Sequence, residues 1–244
     1  RATLDGNLAK NIGCGAINVC TMTVVDSTVS GNTAYSDSGG SGDGGGLYQA
    51  VGTLTVRGST ISGNTGNGGG GLWSGSTSNV TNSTFSGNTA ANGPGGGVDV
   101  SAATATFNNV TVANNTVSVG GLGAGVHVQA GGTASAQLKN SLLGSNGSGD
   151  NCSGTVTSLG YNLSSDASCG LGSTGDANSI DPLLDPLGSY GGPTQTVRLQ
   201  AGSPAIDTAD NASCEATDQR GITRPVDGDA TPGAVCDKGA YEAP

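Results

Sequence analysis

A six-residue phrase, repeated along the chain, restricts the folds open to this sequence more than any other feature. Its consensus is Ser-Thr-X-Ser-Gly-Asn, where X is apolar, and some copies keep only part of it. The six copies end at Asn7, Asn32, Asn64, Asn88, Asn115 and Asn146. Consecutive copies are 24 to 32 residues apart by subtraction of these numbers. Repeats of this length are typical of solenoids, in which each repeat forms one coil and packs on the next.

Apolar and polar residues alternate inside each repeat, which is the period of a β-strand. Leu54 and Val56 alternate with Thr53 and Thr55, and the other repeats follow the same pattern. Side chains two residues apart share one face of a strand, so these apolar residues are expected to point inward. A second inward column is predicted at Leu4, Val29, Ile61, Phe85, Val112 and Leu143. No segment has a helical period, so the sequence predicts an all-β parallel β-helix with about three short strands in each coil.

The phrase-ending asparagines have a structural interpretation. A carboxamide carries both a donor and an acceptor, so copies stacked one coil apart can hydrogen-bond to each other. We therefore predict that the six asparagines form a ladder at an inward-facing corner. A glycine also opens each coil, and the five are Gly15, Gly46, Gly71, Gly97 and Gly125. The stretch from this glycine to the next asparagine is nearly constant in length, which indicates that stacking fixes its length. The stretch from that asparagine to the following glycine varies in length, as a loop does.

Charge divides the chain near residue 147. Residues 1–146 carry five acidic and four basic side chains, whereas residues 147–244 carry thirteen acidic and four basic side chains. We predict β-helix repeat coils over 1–146 and an acidic C-terminal continuation and cap over 147–244. The net charge of −10 argues against nucleic acid as a partner, because nucleic-acid binding needs a cationic surface. No apolar run is long enough for a transmembrane helix, so no membrane-spanning segment is predicted.

The cysteines suggest the compartment in which the protein works. They are Cys14, Cys20, Cys152, Cys169, Cys214 and Cys236. Without a CxxC spacing, and with a single histidine, a zinc site is disfavoured. Pairing of consecutive cysteines into three disulfides is preferred, although other pairings remain open. Disulfides indicate an oxidising compartment, so we expect an extracellular protein that is secreted or attached to a cell surface.

Two groups of motifs resemble bacterial surface proteins. The segments Gly13-Cys14-Gly15-Ala16-Ile17 and Phe85-Ser86-Gly87-Asn88 are similar to the repeats of the polymorphic outer-membrane protein family. Five C-terminal motifs are similar to the closing module of "choice-of-anchor" surface proteins, and they lie at 181–184, 191–196, 202–207, 218–221 and 237–242. The resemblance implies a right-handed parallel β-helix on a bacterial surface, with no established reaction. Such proteins carry a signal peptide and a surface anchor, and neither is recognisable here.

The C-terminal region is expected to close the solenoid as an irregular unit stapled by disulfides. Arg220 is predicted to pair with Asp218 or Asp207 in a buried clamp, and solvated surface charges are the alternative. At the other end, the chain opens inside a copy of the phrase, which exposes strand edges. We therefore hypothesise a homo-oligomer formed by head-to-tail stacking of β-helices, extending into filaments.

A carbohydrate-active enzyme is the main alternative to a structural protein. The acidic residues of the repeats are scattered at Asp5, Asp26, Asp37, Asp43 and Asp99, without the adjacent pair that general acid–base catalysis needs. Asp99 and His127 are the best candidate pair, because each stands two residues after the glycine of its coil. Tyr48 and Trp73 occupy the same position in earlier coils, so we predict a sugar-contacting column of Tyr48, Trp73, Asp99 and His127.

Three further hypotheses concern the outer surface. Outward threonines at 21, 53, 77 and 104, and at 23, 55 and 106, could order water as ice-binding proteins do, although threonine is also common on exposed strands. Asp227, Asp229 and Asp237 offer oxygen ligands for calcium; no other cofactor is expected. Asn79 is an outward-facing sequon that could be glycosylated. The sequence as a whole favours a structural or adhesive extracellular protein that is not an enzyme, with carbohydrate or another cell-surface ligand as its partner.

Overall fold

The computed structural model describes residues 1–10, 13–36, 42–118, 120–147, 149–229 and 233–244. Asp37, one of the acidic residues considered above, lies outside these ranges. Within them every regular element is a β-strand and no helix occurs. The chain therefore forms an all-β parallel β-helix, as its repeats predict. The right-handed sense of the coil and the domain boundary at residue 147 stay predictions.

Five coils each contain four short strands, numbered here in chain order. The first coil holds β1 Thr3–Asp5, β2 Leu8–Lys10, β3 Ala16–Asn18 and β4 Thr21–Val25; the second holds β5 Thr28–Ser30, β6 Thr33–Tyr35, β7 Leu47–Gln49 and β8 Thr53–Arg57; the third holds β9 Thr60–Ser62, β10 Thr65–Gly66, β11 Leu72–Ser74 and β12 Thr77–Thr81; the fourth holds β13 Thr84–Ser86, β14 Thr89–Ala90, β15 Val98–Val100 and β16 Thr104–Asn108; the fifth holds β17 Thr111–Ala113, β18 Thr116–Val117, β19 Val126–Val128 and β20 Ser135–Lys139. The prediction of three strands per coil was wrong, because the strand after the asparagine corner is only two or three residues long and shows no period.

Seven further strands in the described residues complete the fold. They are β21 Leu142–Gly144, β22 Cys152–Ser153, β23 Val156–Ser158, β24 Leu163–Ser164, β25 Ala177–Asn178, β26 Leu184–Gly188 and β27 Thr196–Leu199. Equivalent strands of successive coils pair in parallel and in register, which builds four sheets: sheet I contains β1, β5, β9, β13, β17, β21, β24 and β25; sheet II contains β2, β6, β10, β14 and β18; sheet III contains β3, β7, β11, β15, β19 and β22; sheet IV contains β4, β8, β12, β16, β20 and β23. The last two strands form an antiparallel hairpin.

The interior is filled by the two apolar columns that the sequence predicts. Val29, Ile61, Phe85, Val112 and Leu143 are in register across sheet I and are almost completely buried. The column of sheet IV, which includes Val56, Val80, Phe107 and Leu138, is buried in the same way. Each coil contributes few large side chains, so the stability of the solenoid comes from summing contacts between neighbouring coils.

The glycine that opens each coil is required by the close approach of the backbones. A Cβ at Gly71 would stand 2.6 Å from the carbonyl oxygen of Gly97, and one at Gly46 would stand 2.6 Å from that of Gly71. Both hypothetical Cβ atoms would also press on a carboxamide of the asparagine ladder, at 3.1 Å from Asn88 and 2.9 Å from Asn64. No side chain larger than hydrogen fits between consecutive coils at this corner.

Residues 165–178 cover the C-terminal end of the interior. Cys169 and Leu171 are buried against the core, and the Cys152–Cys169 disulfide ties this cover to β22. Residues 179–244, which we call the lateral segment, run along the outside of sheet I. Their polar contacts reach several coils, from Thr60 in the third coil to Asn140 after the fifth. The Cys214–Cys236 disulfide closes a loop within the lateral segment.

Cys14 and Cys20 are free thiols, so the structure does not contain the predicted disulfide between them. The extended strand Ala16–Asn18 lies between the two cysteines. Because an extended residue advances the chain by about 3.3 Å, this strand separates their Cα atoms beyond the reach of about 6 Å that a disulfide bridges comfortably. Cys20 is exposed and Cys14 is partly buried.

Candidate functional site

The six phrase-ending asparagines form a continuous ladder along the solenoid. The Nδ2 atom of each asparagine donates to the Oδ1 atom of its equivalent in the next coil, over 2.8 to 3.1 Å. The same Oδ1 also accepts the backbone N–H of the earlier asparagine, and Nδ2 uses its second hydrogen on a sheet I carbonyl, as Asn64 does with Val29 at 2.9 Å. All polar groups of the buried copies are thereby satisfied, so the ladder is structural and offers nothing to a ligand.

The four residues predicted to contact sugar lie in one outward column of sheet III. Tyr48, Trp73, Asp99 and His127 are consecutive partners in its register. The rings of Tyr48 and Trp73 are stacked, with centroids 4.4 Å apart and planes inclined by 5°. Asp99 Oδ1 and His127 Nδ1 are 2.7 Å apart, and both side chains are largely buried. The structure therefore brings together all four residues of the predicted column.

Loops between sheets II and III rise beside this column and form an open groove. One part, of about 590 Å³, is lined by Trp73 and Asp99 together with Ser36, Asp43, Asn67, Gly68, Asn92, Gly93, Pro94, Ser101 and Gln129. A second part, of about 530 Å³, continues over His127 and shares Asn92, Gly93, Pro94 and Gln129 with the first. We call the two parts together the sheet III groove. One face of the Trp73 indole is covered by the Tyr48 ring. Trp73 lines the first part of the groove, together with Asp99.

Asp43 is a residue of this groove that the sequence did not connect with the column. Its Oδ1 accepts the N–H of Gly68 at 3.0 Å. A Cβ at Gly68 would stand 3.2 Å from Asp43 Oδ1 and 3.4 Å from Asp99 Oδ2, so the two carboxylates flank the same glycine. Burial and the negative charge of Asp43 raise the pKa of the Tyr48 phenol. Asp43 comes from a loop of variable length, which is why the repeat pattern gave no signal for it.

The groove is polar, and its described lining combines carboxylates, amides and the imidazole of His127. Asp43 and Asp99 are the carboxylates in its lining, amide side chains come from Asn67, Asn92 and Gln129, and the described lining includes no lysine or arginine. Among the residues of known position, Ser36 Oγ is buried and has no hydrogen-bond partner. Such an arrangement can accept hydrogen bonds from hydroxyl or ammonium groups and can place an apolar face on Trp73.

The predicted calcium ligands are only partly brought together. Asp237 is fully buried and accepts backbone N–H groups of Asp207 and Ala243, so it is not available to an ion beside Asp227. Asp207 takes its place: one carboxylate oxygen from each of Asp207, Asp227 and Asp229 lies within 4.8 Å of the others. These three could supply oxygen ligands to calcium. A melting temperature that does not respond to a chelator would exclude a structural ion there.

Buried charges hold the lateral segment together. Arg220 pairs with Asp218 at 2.7 Å, which confirms the predicted clamp, and Arg220 also lies over the Tyr241 ring. Arg224 pairs with Glu242 at 2.9 Å, with both side chains almost completely buried. Burial raises the pKa of Asp237 to about 7, reinforced by the negative charge of Glu242. None of these groups opens onto the sheet III groove.

The threonine columns and Asn79 lie on the outer face of sheet IV. Thr21, Thr53, Thr77 and Thr104 are in register, but the neighbouring column of Thr23, Thr55 and Thr106 is interrupted by Asn79. Asn79 Oδ1 accepts from Thr106 Oγ1 at 2.9 Å, and Asn79 is partly exposed. Its glycosylation stays a prediction, and measurement of thermal hysteresis would test ice binding.

No family model matched the chain, and no curated protein or solved structure matched it either. The resemblance to polymorphic outer-membrane proteins and choice-of-anchor modules therefore stays an expectation from the motifs. The described residues contain no helix that could cross a membrane.

Proposed function

We propose that this protein is an extracellular adhesive protein that binds carbohydrate in the sheet III groove. The observation that carries the proposal is the Tyr48–Trp73 stack, which borders a polar groove on a face that the lateral segment leaves open. Aromatic rings beside convergent hydrogen-bonding groups suit sugars, because a pyranose has apolar faces and polar edges. The extracellular location is supported by two disulfides, and the surface-protein motifs are consistent with it.

Binding can be tested by screening the protein against immobilised glycans and measuring the hits by calorimetry. Trp73→Ala is expected to weaken binding about tenfold, because loss of the indole exposes the apolar sugar face that it would cover, and about 1.4 kcal/mol corresponds to a factor of ten in affinity. Trp73→Phe keeps a ring and is expected to retain most of the affinity. A Trp73→Ala variant that binds every hit as the parent does would place the binding site elsewhere.

A polysaccharide-cleaving activity is the second candidate, favoured by the two carboxylates that flank Gly68. Glycosidases use a pair of carboxylates on either side of the scissile bond. We favour binding without catalysis, because Asp99 Oδ1 is already held by His127 and Asp99 is largely buried. Incubation with polysaccharides, followed by assay for new reducing or unsaturated ends, separates the two functions. Products that disappear in Asp43→Asn and Asp99→Asn would establish the enzyme.

Head-to-tail filaments gain no support from the C-terminal end of the solenoid. Residues 165–178 lie over that end and are fixed by the Cys152–Cys169 disulfide, so another β-helix could pair there only after the cover moved. Electron microscopy of the purified protein is the direct test of assembly, and separate short rods would contradict filaments.

A further inference from the structure

We infer that Ser153 and His127, oriented by Asp99, form a site that hydrolyses acyl esters, with O-acylated oligosaccharides as the substrate class. The choice of substrate rests on the proposed carbohydrate binding, whereas the site itself rests on the register of sheet III. Ser153 lies past the last coil-opening glycine, which is why the repeat pattern does not group it with the other two residues.

The register of sheet III places the three residues on consecutive strands. Asp99 of β15 pairs with His127 of β19, and His127 pairs with Ser153 of β22. Within β22, Cys152 is buried in the core and Ser153 is partly exposed, so Ser153 faces outward like the other two residues. Neighbouring strands of a sheet are about 4.8 Å apart. Ser153 is therefore the outward side chain that follows His127 in the same column, one strand spacing away.

The contact with Asp99 gives His127 the orientation of a general base. Asp99 Oδ1 lies 2.7 Å from His127 Nδ1, and an ionised carboxylate can only accept a hydrogen bond, so Nδ1 carries the proton of the neutral ring. Nε2 is then the unprotonated nitrogen. The two nitrogens lie on opposite edges of the imidazole, so Nε2 is directed away from Asp99 and toward the strand that carries Ser153. This order of carboxylate, imidazole and hydroxyl is the one that activates a serine for attack on an acyl group.

The hydroxyl of Ser153 is able to turn toward this nitrogen. Within the part of the chain that the structure describes, no group forms a hydrogen bond with Ser153 Oγ, and the side chain is partly exposed. Rotation about its χ1 angle can therefore bring Oγ toward His127 Nε2 without breaking another contact. Hydrogen bonds between a nucleophile and its base are often long before substrate binds and tighten in the complex.

The groove beside His127 suits an acylated sugar. His127 lines the second part of the groove together with Leu122 and Ala130, which offer apolar surface to a short acyl chain. Trp73 lies two strands before His127 in the column, so a glycan with one ring beside the indole can continue over the imidazole. The pairing that withdraws Asp99 from the cleavage of glycosidic bonds thus prepares the neighbouring histidine for ester hydrolysis.

The reaction proceeds in two steps at one acyl carbon. Ser153 Oγ forms a bond to that carbon while its proton passes to His127 Nε2, and the tetrahedral intermediate then expels the sugar oxygen, which takes this proton. Water next attacks the acyl-serine and gives a proton to Nε2. The bond to Oγ breaks, Oγ recovers the proton, and a carboxylic acid is released. Asp99 stabilises the imidazolium that forms in each step and stays ionised.

The first test is labelling of the full chain with a fluorophosphonate, from which an activated serine oxygen displaces fluoride. Mass mapping is expected to find the label on Ser153. The parent should also hydrolyse p-nitrophenyl acetate, and Ser153→Ala or His127→Ala should lower kcat/KM about a hundredfold or more. Ser135→Ala, which changes a partly exposed serine of sheet IV, is the matched control and should behave as the parent. Absence of label from Ser153, or hydrolysis by Ser153→Ala at the parental rate, would overturn the site.

The second test reads the position of the ring proton. His127 is the only histidine of the sequence, so nitrogen NMR of the labelled protein reports on it without ambiguity. The neutral ring of the parent is expected to carry its proton on Nδ1. Asp99→Ala removes the carboxylate that holds this proton, so the proton should redistribute to Nε2 and kcat should fall with little change in KM. A parent ring protonated on Nε2 in its neutral form would overturn the role of His127 as base.

The substrate class is tested with O-acetylated xylo-oligosaccharides, by measuring released acetate. The parent is expected to release acetate, Ser153→Ala should not, and Trp73→Ala should lower kcat/KM about tenfold. Cleavage of the aryl ester without release of acetate from the oligosaccharide would overturn this substrate class. Failure to bind any glycan in the broad screen would remove the proposed function, whereas the fluorophosphonate and aryl ester, which need no sugar contact, still decide the site.

Discussion

At the scale of single residues, the asparagine ladder shows why one polar side chain recurs in an otherwise apolar interior. Each buried copy makes hydrogen bonds to the coil before it and the coil after it, and an aliphatic residue could not replace them. Burial of the backbone groups at the corner is tolerable only because the carboxamides pair with them.

Replacement of one central member should therefore cost more than the loss of a single hydrogen bond. Asn88→Ala removes the partners of Asn64, Asn115 and the Ile61 carbonyl, and it leaves several buried groups unpaired. We expect the free energy of unfolding to fall by about 3 kcal/mol, measured by urea denaturation. Asn7→Ala is the control, since Asn7 is exposed, and it should cost about 1 kcal/mol or less. Equal losses in the two variants would contradict a cooperative ladder.

Asp237 makes a prediction about pH. Its pKa is raised to about 7 by burial and by the charge of Glu242. Between roughly pH 4 and pH 7 the folded protein therefore holds a proton on Asp237 that the unfolded chain has already released. Stability should consequently increase as the pH falls from about 8 to about 5, on the order of 2 kcal/mol from this group. Asp166 and Asp210, whose pKa values are lowered, lose their contributions only at more acidic pH.

Urea denaturation of the parent and of Asp237→Asn at several pH values measures this effect. The variant, which stays neutral, should show a flatter dependence over the same interval. A variant whose pH dependence equals that of the parent would show that Asp237 is ionised in the folded state.

At the scale of elements, the coil-opening glycines set how closely consecutive strands can stack. Gly71→Ala would place a Cβ 2.6 Å from the carbonyl of Gly97 and 3.1 Å from Asn88. The backbone cannot give way without separating two coils, so we expect a loss of about 3 kcal/mol in the free energy of unfolding. Gly172→Ala meets no atom within 4 Å and should be nearly neutral. A neutral Gly71→Ala would mean that the coils can separate at little cost.

One glutamine of the lateral segment contacts two coils of sheet I. Gln219 Nε2 donates to Thr60 Oγ1 at 3.0 Å and to Thr194 Oγ1 at 2.9 Å, while Gln219 Oε1 accepts from Thr84 Oγ1 at 2.6 Å. Gln219→Ala should loosen the segment and accelerate its cleavage by a nonspecific protease several-fold, with the β-sheet circular dichroism of the solenoid unchanged. Gln200→Ala, at an exposed position, is the matched control and should leave the cleavage rate as it is.

The repeats predicted the solenoid because the same physical demands recur in every coil. Inward Val29 and Ile61, or Asn64 and Asn88, occupy equivalent positions, so their spacing in sequence reports their stacking in space. The lateral segment has no such repetition. Its contacts, such as that of Gln219 with Thr60, join residues that are far apart in sequence. The residue types alone do not identify which residue each of them will contact.

The same distinction applies to the candidate site. Tyr48, Trp73, Asp99 and His127 could be grouped from the sequence because all four stand two residues after a coil-opening glycine. Asp43 could not, because the return loops vary in length and their side chains have no common register. Asp207 was also missed, since it joins Asp227 and Asp229 through the folding of the lateral segment. A serine ladder that includes Ser27, Ser59 and Ser83 was likewise overlooked, although these serines begin three copies of the phrase.

At the scale of the whole molecule, other parts of the chain cover some surfaces of the solenoid and leave others accessible. The lateral segment covers sheet I, residues 165–178 cover the C-terminal end, and sheets III and IV remain accessible between their loops. Adhesion through sheet III is compatible with this arrangement, because the groove does not compete with the segment for the same face.

The state of the cysteines can be checked on the intact protein. We predict two reactive thiols per chain, Cys14 and Cys20, and two disulfides that become reactive only after reduction. Titration with a thiol reagent under denaturing conditions, followed by mass mapping of the bridges, gives both numbers. Loss of the Cys152–Cys169 bridge in a double serine variant should cost about 3 kcal/mol, because the unfolded chain regains the conformational entropy of a loop that spans a sequence separation of 17. A bridge found between Cys14 and Cys20 would contradict the structure of the first coil.

The asparagine ladder also has a direction. In every bond between two ladder members, Nδ2 donates to the asparagine of the following coil. The side-chain amide dipoles therefore share one direction and add along the axis, like the peptide dipoles of an α-helix. At the electropositive terminus of this array, Asn146 donates to Asn151, and the Asn151 N–H meets the carboxylate of Asp166 at 2.8 Å. Burial disfavours the ionised form of Asp166, but hydrogen bonds from Ser168, Asn151 and Ser164 outweigh it and lower its pKa. Asp166 is thus an anionic counterpart to a column of neutral amides, as an acidic residue is at the first turn of a helix.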